Sequence, residues 1–295
     1  MIDQNGNPAP QRILLASDLC LRCDRPLDRA KQLAREWQAG VTVLMVREGP
    51  RSPEEVASWL EESKDVLPFE HAARCEVAAE FAGTGVPATL QVVRGDVADS
   101  ILQAAEALPD ALVVVGASRQ ETFQELILGS CAARLAQELT QPLLVVRQRT
   151  RAGYARILVA NDFGEAAGRA LEAALRLFPD RRIALMHVLE DSAPQPANTR
   201  AGALHEAIED SERFLERLGL PPGARERIDL AIGHGAVTTA VLHHVQNAGT
   251  ELVVLGVHPQ STLARVFIGS ISDELLRRLP CDTLLVRAAP GSAHA

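Results

Sequence analysis

Residues suited to phosphate binding recur at matching places in the two halves of this 295-residue chain. An aspartate follows the first apolar run of each half, a glycine follows a later run, and a Gly-Ser pair stands thirteen residues after that glycine. These residues are Asp18, Gly116, Gly129 and Ser130 in the first half, and Asp162, Gly256, Gly269 and Ser270 in the second. Glycine lets a phosphate approach the backbone, and the free amides at a helix N-terminus attract it. The alternative interpretation is that these residues form ordinary tight turns and helix N-caps.

The whole chain repeats at an interval of about 140 residues. Arg12–Asp18 returns as Arg156–Asp162 with the same apolar pattern, and the Gly-Ser pairs and a final apolar strand return in the same order. A repeat of this length indicates a duplicated domain and not a solenoid, whose repeats are much shorter. We therefore predict two similar domains, at residues 1–150 and 151–295.

Apolar runs without alternation, typical of strands buried on both faces, alternate with stretches of helical periodicity. The predicted strands are 13–17, 41–46, 88–93, 111–115, 143–146, 157–160, 183–188, 228–232, 252–255 and 283–286. The predicted helices are 25–37, 53–82, 97–107, 130–139, 165–178, 203–218, 238–248 and 270–279. This order predicts an α/β fold of two doubly wound domains, each a parallel sheet covered by helices on both faces. Such sheets bind ligands at the carboxyl ends of their strands, where the strand order reverses.

Composition and charge exclude several classes of function. The net charge is −8, so no basic field would attract nucleic acid or an anionic membrane surface. Aromatic residues make up only 3%, which disfavours a stacking platform for single-stranded nucleic acid. No apolar run approaches the ~20 residues needed to span a bilayer. Five scattered cysteines and a polar N-terminus are typical of a cytoplasmic protein rather than a disulfide-stabilised secreted one.

Three features of the sequence resemble the universal stress protein family. They are the opening motif Ile-Leu-x-Ala-x-Asp at residues 13–18, the helix at 169–174, and the pattern of a strand, a glycine and a Gly-Ser pair thirteen residues later. Met186-His187-Val188 also matches the end of the second strand in that family. The resemblance covers both halves, so the chain resembles a tandem universal stress protein. It implies a five-stranded parallel sheet with strand order 3-2-1-4-5 in each half. It also implies a site for ATP, with Mg²⁺, at a Gly-x-x-Gly-x9-Gly-Ser/Thr motif.

The family's binding residues can be transferred to matching positions of this sequence. On the adenosine side they are Ala16, Asp18 and Val46 in the first half, and Ala160, Asp162 and Val188 in the second. On the phosphate side they are Gly116, Gly129 and Ser130, or Gly256, Gly269 and Ser270. His258 also stands where ATP-binding members often have histidine.

Both halves depart from the motif at its second glycine, where this chain has Arg119 and Pro259. Proline has no amide hydrogen to donate to a phosphate, whereas the positive charge of Arg119 could contact one directly. The first loop also carries Glu121 and Glu125, which would repel a polyphosphate. We therefore expect the second half to be the better nucleotide site, with the first half as its structural partner.

Two other groups of residues could serve redox or metal chemistry. Cys20 and Cys23 form a lone Cys-x-x-Cys after a strand, but no further zinc ligands lie nearby and the second half has no counterpart. His243 and His244 are consecutive, so we expect them on different faces of a solvated helix. We predict no metal site.

Asp162, His258 and Ser270 could converge on one pocket and resemble a hydrolytic triad. No Gly-x-Ser-x-Gly elbow surrounds Ser270, which fits a helix cap better. We expect no catalytic residues and, at most, slow ATP hydrolysis. The expected function is that of a nucleotide-responsive stress or signalling protein, and the alternative is a scaffold acting through protein contacts without nucleotide. The resemblance also implies that the fifth strands of the two halves pair as an internal pseudo-dimer, and a further homodimer is expected.

Overall fold

The computed structural model describes residues 10–17, 24–47, 66–117, 130–190, 197–258 and 270–288. The chain divides into two compact units. The first unit consists of Pro10–Gly116 and Arg149–Gly153, and the second contains Ala117–Gln148 and Tyr154–Ala295. The end of the first half thus groups with the second half, because its last strand pairs there.

The first unit is a parallel sheet flanked by helices. Its elements are β1 (Arg12–Ala16), α1 (Asp24–Trp37), β2 (Gly40–Arg47), α2 (Val66–Phe81), β3 (Ala88–Arg94), α3 (Val97–Glu106) and β4 (Leu112–Gly116). The strands lie in the order β3-β2-β1-β4, and every pairing among them is parallel. Ile13, Leu14 and Leu15 of the central strand are fully buried, as their continuous apolar run predicts.

The second unit contains a longer sheet with one antiparallel pairing. Its elements are α4 (Ser130–Glu138), β5 (Leu143–Val146), β6 (Ile157–Ala160), α5 (Glu165–Leu177), β7 (Ile183–Leu189), α6 (Ala197–Arg217), β8 (Ile228–His234), α7 (Val237–Ala248), β9 (Leu252–Val257), α8 (Ser270–Arg278) and β10 (Asp282–Arg287). The strand order is β5-β10-β9-β6-β7-β8. β10 pairs antiparallel with β5, and the other pairings are parallel.

The structure confirms the predicted α/β class. Strands β6 to β10 have the predicted order 3-2-1-4-5, and β1 to β4 have the order 3-2-1-4. The described strands and helices agree with their predicted bounds to within two residues, with α6 as a clear exception. That helix begins at Ala197 rather than at residue 203. Of the helix predicted over 53–82, residues 53–65 lie outside the described residues, and α2 covers Val66–Phe81.

Small residues allow α5 to lie close to its neighbours. Ala166, Ala167, Ala170 and Ala174 are all buried on this helix. A Cβ atom built at Gly168 would lie 2.8 Å from Leu218 Cδ2, just beyond α6. A side chain at this position would therefore have to displace the end of the Leu218 side chain where α5 passes the end of α6.

A buried carboxylate joins the start of β10 to the segment that follows β5. Asp282 is fully buried, and its Oδ1 accepts hydrogen bonds from the backbone N–H groups of Arg147, at 2.7 Å, and Gln148, at 2.9 Å. Its Oδ2 accepts a bond of 2.6 Å from the hydroxyl of Tyr154, which is only 1% exposed. These three hydrogen bonds offset the free energy that the Asp282 carboxylate loses when it is removed from water.

Two arginines make matching contacts around the pairing of β5 with β10. The buried guanidinium of Arg147 donates to the carbonyl of Leu276 in α8. The guanidinium of Arg287 donates to the carbonyl of Glu138, the last residue of α4, at 3.2 Å. Each arginine therefore stabilises carbonyl groups near the C-terminal end of a helix that belongs to the other half of the repeat.

Candidate functional site

The turn that follows β6 is fixed by two successive side-chain-to-backbone hydrogen bonds. Asn161 Oδ1 accepts from the N–H of Phe163, and Asp162 Oδ1 accepts from the N–H of Gly164, each at 2.9 Å. Asn161 also donates its own N–H to the carbonyl of Met186 in β7, at 2.8 Å. Asparagine and aspartate favour such turns because their short side chains can reach the amide two residues ahead. The turn leads directly into α5.

Asp162 and His258 come together at the carboxyl ends of adjacent strands. Asp162 lies just beyond β6 and His258 just beyond β9, and these strands are parallel neighbours. Asp162 Oδ2 is 3.6 Å from His258 Nε2, and the two side chains are 66% and 57% exposed. The pair is ionic only when the imidazole is protonated, and its exposure makes its contribution to stability small. A carboxylate and an imidazole therefore face solvent where the strand order reverses.

Gly256 is needed for packing, whatever it contributes to a ligand. A Cβ atom built there would lie 2.4 Å from both the backbone carbon and the oxygen of Ala166, in the first turn of α5. At the matching position of the first half, a Cβ at Gly116 would lie 3.4 Å from Pro26 Cγ, an ordinary contact distance. The glycine within β9 is thus explained by the close approach of α5, and the one at the end of β4 is not.

The other predicted residues of the second half line the same sheet edge. Ala160 is half-buried, and Val188 is 9% exposed. A Cβ at Gly233 would lie 3.2 Å from Val188 Cγ2, so the Val188 side chain packs toward β8. Val188 can therefore offer a ligand little beyond its backbone and the edge of its side chain.

In the first half, Ala16 ends β1, Val46 lies within β2 and Gly116 ends β4. Ser130 and Ser270 are the first residues of α4 and α8, as predicted. Several predicted residues lie outside the described part of the chain, namely Asp18, Gly129, Gly269, Arg119, Glu121, Glu125, Pro259, Cys20 and Cys23.

The model of the universal stress protein family matches residues 10–147 and again residues 153–287. The chain belongs to the universal stress protein family. It is 30% identical over 145 residues to universal stress protein YxiE of Bacillus subtilis, a match that covers 46% of this chain and 98% of that protein.

Solved universal stress proteins share the fold over nearly the whole chain. The crystal structure of a universal stress protein from Archaeoglobus fulgidus DSM 4304 has a TM-score of 0.65 at 21% identity, covering 95% of this chain and 99% of that one. A putative universal stress protein from Pseudomonas aeruginosa UCBPP-PA14 has a TM-score of 0.67 at 17% identity, covering 95% and 94%. At these identities the comparison shows the fold alone.

Sequence reasoning missed an aromatic cluster beside the turn of this universal stress protein. Phe163 has a φ of 63°, a left-handed conformation that is rare for a bulky residue. Its ring lies 4.3 Å from that of His187, centroid to centroid, and 5.9 Å from that of Phe214. His187 Nδ1 is 3.0 Å from the carbonyl oxygen of Asn161. The strained turn is thus held by ring packing, and no local pattern in the sequence indicates a positive φ at a phenylalanine.

His243 is exposed and His244 is half-buried on α7, and both line one open groove beside β8, together with His234. Within the described ranges, no three histidine, cysteine, aspartate or glutamate side chains are grouped so as to hold a metal ion. None of the described helices combines the length and apolar character required to cross a membrane.

Proposed function

We propose that this universal stress protein is a nucleotide-responsive stress or signalling protein that binds ATP at the carboxyl edge of β6 and β9. The observation that carries the proposal is the meeting of Asp162 and His258, 3.6 Å apart and open to solvent, at the ends of these two strands. β6 pairs with β7 on one side and with β9 on the other, so the strand order reverses between β6 and β9. Doubly wound sheets bind ligands at such a point.

The chemistry of this edge fits the parts of a nucleotide. The Oδ1 atom of Asp162 is held by the N–H of Gly164, which fixes the carboxylate while Oδ2 remains available to accept from a ribose hydroxyl. A protonated His258 would contact a phosphate oxygen. α8 begins at Ser270, and the amides of its first turn favour an anion.

The residues present also suit the magnesium that accompanies ATP. Mg²⁺ prefers oxygen ligands and usually keeps several waters, so one exposed carboxylate together with the phosphates suffices. Asp162 is an exposed carboxylate at this edge, and it would act on the ion through bound water because its Oδ2 is assigned to the ribose. When bound, the ion would offset the charge of the phosphates, and the chain would contribute orientation through Asp162 and His258.

Two observations favour the alternative, a scaffold that works through protein contacts. Because Gly256 is required by the approach of α5, its presence in the motif is no evidence for a phosphate. Leu204 and Ile208 are also exposed one turn apart on α6, each at 38%. A protein that had lost its nucleotide could keep both features.

Calorimetric titration of the nucleotide-stripped full chain with ATP and magnesium tests the proposal. We expect micromolar binding by the wild type, weakened about tenfold or more by Asp162→Asn and by His258→Gln, which is ~1.4 kcal/mol each. Asp229→Asn is the matched control, since Asp229 is an exposed carboxylate on β8 that pairs with Arg182. The absence of heat and of a thermal shift at millimolar ATP would refute the proposal and favour the scaffold. Binding that both site variants leave intact would refute the assignment to this edge.

A further inference from the structure

An open groove of about 550 Å³ lies between β8 and α7. Its volume falls within the range of small-molecule sites, roughly 300 to 1,000 Å³. The lining residues come from β7, β8 and α7. They are Met186, Ile232, Gly233, His234, Ala240, His243, His244, Asn247 and Ala248.

The floor of the groove is apolar and closely packed. A Cβ atom at Gly233 would lie 2.7 Å from Met186 Cε and 3.2 Å from Ala240 Cβ. Glycine at this position therefore lets the methionine thioether and the alanine methyl group meet over β8. Ala248 of α7 also lines the groove. The floor suits the apolar body of a small molecule, since such sites are mostly lined by apolar side chains.

The walls carry the polar groups. His234 and His243 are exposed, His244 is half-buried, and the amide nitrogen of Asn247 is 3.1 Å from the ring of His243. Among the described residues that line the groove, there is no carboxylate, lysine or arginine. The imidazoles are therefore the ionisable groups of this described lining.

Charged groups on the elements packed against α7 have partners outside the groove. Those elements are β7, β8 and α8. On β8, Asp229 pairs with Arg182, and on α8, Glu274 bonds to Thr238 and pairs with Arg278.

Two further groups belong to the same elements. Asp273 of α8 pairs with Arg277. His187 of β7 packs with Phe163 instead of lining the groove.

The protonation of His244 is coupled to its neighbour. Burial lowers the pKa of His244, and the positive charge of His243 lowers it further. An anion in the groove would oppose this lowering, because a nearby negative charge favours the protonated form.

We propose that this groove is a second ligand site, which takes a small organic anion, an apolar body carrying one carboxylate or phosphate group, when its histidines are protonated. The apolar body lies on the floor that Met186 and Ala240 form beside Gly233. The anionic group accepts hydrogen bonds from His243, His244 and the amide of Asn247. The site shares no lining residue with the Asp162–His258 pair, so it stands whether or not ATP binds there.

Titration of the full chain with benzoate at pH ~5.5 and pH ~7.5 tests this inference, since histidine changes charge between these values. We expect binding at the lower pH that weakens about tenfold or more at the higher one. The histidine Cε1–H signals of His243 and His244 should shift on addition of benzoate. Equal affinity at both pH values, or no binding at millimolar benzoate in acid, would overturn the proposal.

Variants and a second probe sharpen the test. His243→Gln with His244→Gln keeps polar side chains but removes the charge, and it should abolish benzoate binding in acid. His205→Gln, on the exposed part of α6 beside Glu209, is the matched control and should bind as the wild type does. Unchanged binding by the double variant would contradict the site. Inorganic phosphate should bind more weakly than benzoate, and equal affinity would overturn the claim that the apolar floor contributes.

Discussion

Replacing Asp282 by alanine removes the acceptor of three hydrogen bonds at once. The donors are the N–H groups of Arg147 and Gln148 and the hydroxyl of Tyr154, and both the tyrosine and the arginine are buried. A buried donor left without an acceptor costs about 1 to 3 kcal/mol. Gln148 is partly exposed, so water can replace the carboxylate at its N–H. Two buried donors then remain, and we expect the Asp282→Ala variant to lose about 3 to 5 kcal/mol of unfolding free energy.

Tyr154→Phe separates the contribution of one bond. It removes the hydroxyl but keeps the ring, which packs edge-on against Phe178 at 5.7 Å, so we expect a loss of about 1 to 2 kcal/mol. In the Asp282→Ala background the same change should cost less, because the alanine variant has already removed the hydrogen bond from that hydroxyl to Asp282. The double variant should therefore be less destabilised than the sum of the single variants, by about 1 to 2 kcal/mol.

Urea unfolding can be followed separately for the two compact units. Both tryptophans, Trp37 and Trp59, belong to the first half, whereas Tyr154 is the single tyrosine of the chain and lies in the second unit. Tyrosine absorbance should show an earlier midpoint in Asp282→Ala. Far-UV circular dichroism is the readout for Tyr154→Phe and for the double variant, because these two variants lack the tyrosine. Asp229→Ala, which removes an exposed carboxylate, should leave the midpoint close to that of the wild type. An unchanged midpoint in Asp282→Ala, or full additivity in the double variant, would refute this reasoning.

Three further predictions concern packing and titration. Gly256→Ala should destabilise the protein by at least about 1 to 3 kcal/mol, because its Cβ would clash with the α5 backbone, while Gly116→Ala should be tolerated in the same urea assay. Burial raises the pKa of Cys281 to about 12, so its thiol should resist a disulfide reagent in the folded protein. The exposed Cys75 should react at once, and mass spectrometry of the labelled peptides distinguishes the two cysteines. The pKa of His244 should lie below the usual histidine value of about 6.5 in an NMR titration. Because the unfolded chain takes up that proton more readily, His244 should lower stability as the pH falls below ~6.5, and a midpoint at or above 6.5 would contradict the structure.

The duplication and the continuous apolar strands were sufficient to predict the α/β fold, because the strand or helix periodicity of each segment agrees with the element that the segment forms in the fold. The start of α6 was not predictable, since Ala197 and the residues that follow it lack apolar periodicity. The approach of Asp162 to His258 follows from the strand order, but their role as a ligand site stays a prediction. The packing role of Gly256 and the strained conformation of Phe163 depend on contacts with other elements, which the local sequence does not contain.

The matching contacts of Arg147 and Arg287 bear on how the two halves can change. In a symmetric pair of identical subunits, a substitution at a self-complementary contact alters both copies of that contact together. In one fused chain the two copies of such a contact can differ in sequence, and the contacts of Arg147 and Arg287 do differ. Arg147 is buried beside Asp282, whereas the first half has Pro142 at the position that matches Asp282, and Arg287 is more exposed. In the fused chain, a substitution in one half does not alter the matching contact in the other half. One half can therefore become a rigid support while the other half keeps or loses a ligand.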